Sequence, residues 1–198
     1  MMKLKSMGLI STAMFLVSVT ASAATLDEWN KALDAYTIFA SSKYPQEAQG
    51  SLVLKFLPAE SACDGSNTEI PDLMIDSDYF REVTRLAYAG NQTAAEIMFR
   101  LSLLVCSDGE HSEAMDIALG KLIRPQPAMF LSLLNKSAIS DLDGILGNLG
   151  ESFVDQSSKS IEELQLRYDA LASVKNAPAI QQKCLKQLKK MIDEMRAQ

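Results

Sequence analysis

Apolar residues recur at spacings of three and four through most of this chain, and short polar breaks separate the runs. The pattern is clearest between 77 and 134. In 77–89, Tyr79, Phe80, Val83, Leu86 and Ala87 share one face of a 3.6-residue helix. Asp76, Ser77 or Asp78 can accept the orphan N–H groups at its start. Gly90 stands where a helix end needs left-handed dihedrals. Asn91 is placed to cap the next helix, predicted over 93–106, and the two would form a helical hairpin. Ala94, Ile97, Met98, Leu101, Leu104 and Val105 line one side of that second helix, and Phe99, Leu103 and Cys106 widen the stripe almost all round. A helix apolar on most of its surface is expected between neighbours, so 93–106 is the predicted centre of the fold.

The same reading extends in both directions. Thr25-Leu26-Asp27-Glu28 is a capping box opening a helix to about Ser42, with Leu26, Trp29, Leu33, Tyr36 and Ala40 on one face. Trp29, the single tryptophan, is expected in the core. Tyr44-Pro45 ends that helix. The run 47–57 fits a helix or a strand, and a helix is preferred because a strand finds no partner. A polar loop is predicted from Pro58 to Pro71.

Downstream, Ser107-Asp108-Gly109 is a tight turn. A helix over 110–123 follows, broken by Arg124-Pro125-Gln126-Pro127. A short apolar helix is predicted over 128–135 and another over 137–149, the latter weakened by Gly144 and Gly147. Residues 153–160 read as a linker. Ser160-Ile161-Glu162-Glu163 reads as a second capping box, opening a helix to about Val174. The last helix is predicted from about Asn176 to Arg196, with Ile180, Cys184, Leu188, Met191, Ile192 and Met195 as its stripe. Lys183, Lys186, Lys189 and Lys190 give it a basic face, read as solvated cations that suit a helix C-terminus. The prediction is an all-α protein, a short α-solenoid-like stack or irregular helical bundle of seven or eight helices.

The first 23 residues stand apart. Lys3 and Lys5 precede an apolar stretch from Leu9 to Val19, and Ala21-Ser22-Ala23 is a small-residue cleavage site. This is the pattern of a bacterial signal peptide. A single helical domain over 24–198 and a periplasmic or secreted location are therefore expected. Losing Lys3 and Lys5 takes the net charge from −6 to −8. That balance argues against nucleic acid, whose phosphates it would repel. In an oxidising compartment two of Cys63, Cys106 and Cys184 can pair. Cys63–Cys106, pinning the polar loop to the central helix, is the expected bridge, with three unpaired thiols as the alternative.

Candidate chemistry is sparse. His111 is the only histidine, so any Ser–His–acid or Cys–His mechanism must use it. Cys106, Ser112, Asp108, Glu110 and Glu113 are near it in sequence. Acidic groups there also complement a helix start, and a structural role is expected. Asp141 with Asp143, and Glu162 with Glu163, are the carboxylate pairs that acid–base work would need, yet they too sit at predicted helix starts. Cysteine and histidine spacings fit no zinc site, 64–67 lacks the ligand spacing of a Ca²⁺ loop, and there is no Gly-rich phosphate loop or nucleophile elbow. No catalytic, cofactor or metal residue is therefore assigned. Met98, Met115, Met129, Met191 and Met195 lie on apolar stripes, where core packing is expected. The reading that remains is a non-enzymatic exported module that binds an envelope protein, of the kind an immunity or inhibitor protein is to a toxin or hydrolase. A carrier of a lipid or other apolar ligand in an inter-helical groove is the alternative, and a homo-oligomer stays open.

Overall fold

Thr25 opens the first described helix as the sequence requires. Its hydroxyl accepts from the Glu28 backbone N–H, and the Glu28 carboxylate accepts from the Thr25 N–H at 2.8 Å. This structure is a computed structural model that describes residues 25–42, 44, 46–57, 69–105, 109–137, 139, 142–150, 153 and 156–197. The predicted signal peptide lies outside the described residues, as does most of the predicted loop.

Ten helices are described, and no strand is found among the described residues. They are α1 (Leu26–Ser41), α2 (Glu47–Phe56), α3 (Glu69–Ile75), α4 (Asp78–Tyr88), α5 (Gln92–Ser102), α6 (Glu110–Leu122), α7 (Pro127–Lys136), α8 (Leu142–Gly147), α9 (Ser157–Ala172) and α10 (Ile180–Arg196). The protein is an all-α bundle. Its contacts follow two series: α1 on α4, α4 on α6, α6 on α8 and α8 on α10; α2 on α5, α5 on α7 and α7 on α9. Hairpin contacts join the series, above all between α1 and α2, between α4 and α5, and between α9 and α10. This is the packing of stacked helical hairpins.

The core runs through both series, from Trp29 on α1 to Ile192 on α10. The centre is α5, with Ala94, Ala95, Ile97, Met98, Phe99 and Leu101 all buried. Each large apolar side chain sequestered this way contributes about 1.5–3 kcal/mol relative to exposure. The hairpin before it is built as the sequence indicates. Gly90 takes φ +96°, and the Asn91 side chain accepts from the Ala94 N–H at 2.8 Å.

The structure corrects several sequence expectations. Ten described helices stand where seven or eight were expected, and one of those not predicted is α3, which begins inside the predicted loop to Pro71. Pro71 sits in its first turn, where a missing N–H costs nothing, so it does not stop the helix. The helix expected over 137–149 is the six-residue α8. The Ser160 capping box is absent: α9 begins a turn earlier, at Ser157, and Ser160 is buried inside it with its hydroxyl donating to the Gln156 carbonyl at 3.2 Å. The linker expected over 153–160 is therefore partly helical. Leu26, placed on the core face of α1 by spacing, is exposed.

Candidate functional site

His111 lies on the first turn of α6, half-buried, and faces α3. Its Nε2 is 2.8 Å from Asp76 Oδ1 and its Nδ1 is 3.4 Å from Asp72 Oδ1. Asp72 lies on α3 and Asp76 directly follows it, its N–H donating to the Asp72 carbonyl at 2.9 Å, so the two carboxylates stand one turn apart on the same side. The neighbours proposed from the sequence are placed differently. Cys106 and Asp108 lie outside the described residues, and Ser112, Glu110 and Glu113 sit on α6 beside His111 in sequence. With both ring nitrogens directed at carboxylates, the imidazole ties α6 to α3. A protonated ring can donate to both, and a neutral ring to one.

A second cluster was not singled out from the sequence. Arg167, on α9, is buried at 1% exposure. Its Nη1 donates to the Leu146 carbonyl at 2.9 Å and to the Ile145 carbonyl at 3.3 Å, and reaches the Asn148 carbonyl at 3.5 Å. These carbonyls close α8, so the guanidinium supplies the cation and donors that a helix C-terminus lacks. Its Nε donates to Glu163 Oε1 at 3.4 Å, and Glu163 Oε2 accepts from Arg124 Nη1 at 2.8 Å. Burial pulls the Arg167 guanidinium below its ordinary pKa, and the Glu163 carboxylate acts in the opposite sense. Arginine still stays charged, which is why it suits such a place. The signal for it was positional: Arg167 falls three residues after Leu164 and four before Leu171, on the buried stripe of α9.

The other sequence candidates fall into place around these two clusters. Glu163 is an ion-pair partner rather than half of a catalytic pair, and Glu162 beside it is exposed. Asp143 is exposed on α8, and Asp141 lies outside the described residues. The bridge Cys63–Cys106 also lies outside them. Cys184 is buried and not in a disulfide, and burial pushes its thiol up to about 11. Met98 and Met115 are buried, while Met129, Met191 and Met195 pack against the core half-buried. Trp29 is a core residue. Lys183, Lys186, Lys189 and Lys190 are all exposed.

Among the described residues, the clefts open to solvent include two. One, of about 290 Å³, lies where α6, α8, α9 and α10 meet, and Glu113, Asn148, Leu149, Phe153, Leu164 and Met195 line it. The other, of about 420 Å³, is lined by Lys121, Arg124, Pro125 and Glu163. Among the described residues no group of three or more His, Cys, Asp or Glu could hold a metal ion, and no helix is long and apolar enough to cross a membrane. Comparison with known protein families, with curated proteins and with solved structures gave no match.

Proposed function

We propose that this chain is an exported helical module that binds another protein in the bacterial envelope, without catalysis of its own, as an immunity or inhibitor protein binds a toxin or hydrolase. The observation that carries this reading is the use to which the reactive side chains are put. His111 is spent between Asp72 and Asp76, and Glu163 between Arg124 and Arg167. Both clusters fasten helix to helix. Stacked hairpins of this kind offer long, rigid helix faces, a common basis for protein recognition.

The test is affinity purification of the chain, tagged at its C-terminus, from its native periplasm, with mass spectrometry of the proteins and of an organic extract. A stoichiometric protein partner is expected. A lipid recovered without any protein would overturn the reading in favour of an apolar-ligand carrier. An untagged control in which the chain stays in the cytoplasm would overturn the exported location.

A further inference from the structure

We infer that the partner docks on the α1–α3 end of the stack, and that it presents a basic protein surface. This rests on the reading of the chain as a protein-binding module. Two independent features converge on that end. The first is apolar exposure. Six large apolar side chains are exposed among the described residues, and five of them, Leu26, Ile38, Tyr44, Leu52 and Leu73, belong to α1, the α1–α2 connection, α2 and α3. Leu166 on α9 is the sixth. These elements pack together, with α1 touching both α2 and α3. Apolar anchors inside a polar surround are what the centre of an interface offers.

The second feature is charge. Residues 24–80 hold ten Asp and Glu against three Lys and Arg, whereas 81–198 hold fifteen against fourteen. Almost all the net negative charge of the exported chain thus belongs to the segment that carries the exposed apolar side chains. Asp27, Asp34, Glu47, Asp76 and Asp78 are exposed there. An acidic surround steers a basic partner and rejects acidic ones. It also repels phosphate backbones and anionic bilayers. The basic face of α10 is the competing surface. It carries exposed lysines, but no exposed large apolar side chain stands on α10 to act as an anchor.

The experiment places a photo-crosslinking amino acid at Ile38, at Leu73 or at Lys186, one per full-length chain, in the cells that make the protein. All three sites are exposed, so folding is preserved. Adducts are expected from Ile38 and Leu73, on Lys- or Arg-containing peptides of one other protein, with at least tenfold less from Lys186. Asp34→Lys should lower the Leu73 adduct about tenfold, the scale of introducing a like-charge contact. Adducts from Lys186 at equal or greater yield would overturn the inference while leaving the protein-binding reading intact. Adducts onto a second copy of this chain, or adducts indifferent to Asp34→Lys, would also overturn it. No adduct from any site would bring down the protein-binding reading as well.

Discussion

Gly120 on α6 and Arg167 on α9 stand in direct contact. A Cβ at Gly120 would lie 2.5 Å from Arg167 Nη1 and 2.6 Å from the Ile145 carbonyl oxygen. The hydrogen of this glycine is thus what lets a buried guanidinium reach the end of α8. In a helix interior, Gly→Ala ordinarily stabilises by about 1 kcal/mol. Here the sign reverses. Gly120→Ala is expected to destabilise by about 1–3 kcal/mol, the usual cost of overpacking, seen as a lower urea midpoint with unchanged slope.

Arg167→Met removes the buried cation and keeps most of its volume. It leaves the α8 carbonyls without donors and Glu163 with Arg124 alone. A loss of about 3–5 kcal/mol is expected, as for breaking other buried pairs. Arg124→Met, half-exposed, should cost under about 1 kcal/mol. Equal losses in equilibrium unfolding would show that the buried position confers nothing special.

Gly50 poses the same question at the other end of the stack. A Cβ there would collide with Thr93 Cγ2 and lie 3.0 Å from the Phe39 ring. Gly50→Ala should therefore destabilise by about 1–3 kcal/mol. Thr93→Ser deletes the colliding methyl and retains the hydroxyl that donates to Glu47. The double variant is expected to recover part of the loss, measured as a coupling energy in a double-mutant cycle.

Much of the fold was legible from spacing and punctuation. The Thr25–Glu28 box, the Gly90-Asn91 turn and the α5 core are local patterns, each decided within a few residues. What escaped depended on tertiary context. Pro71 is compatible with both a loop and a first helical turn, and packing of Ile70, Met74 and Ile75 into the core selects the turn. Ser160-x-x-Glu163 satisfies the box pattern, but Glu163 finds stronger partners in two arginines, and α9 extends past it. Arg167 drew no reading from the sequence, because its acceptors lie about twenty residues away.

Alkaline pH offers a probe of the Tyr88 environment. The Tyr88 hydroxyl donates to the Ala118 carbonyl at 2.9 Å, and burial pushes its pKa from 10 up to about 12. The neutral phenol is favoured in the folded state, so its contribution is fully present below pH 10 and is lost as pH rises toward 12. Wild-type stability should fall more steeply than that of Tyr88→Phe across this window. Parallel slopes in urea titrations would show that the phenol titrates alike in both states.

His111→Ala is expected to release α3 from α6 without unfolding the core, since α3 keeps its packing on α1 and α4. The half-buried tie should be worth about 1 kcal/mol. Faster proteolysis near α3, with an unaltered helical circular-dichroism signal, is the expected readout. Unchanged cleavage would mean that the imidazole holds nothing in place.

Stacking in two series has a consequence for how the molecule breathes. Each interior hairpin is braced by a neighbour on either side, whereas the first and last hairpins hold chiefly to themselves and have a neighbour on one side alone. Amide hydrogens should accordingly exchange in a gradient, slowest in α5 and faster toward α1 and α10, as terminal units open ahead of interior ones. The apolar, acidic α1–α3 end then falls among the quickest to exchange. A ligand seated there would slow exchange at that end first, and its footprint would register as a change in the local tempo of opening.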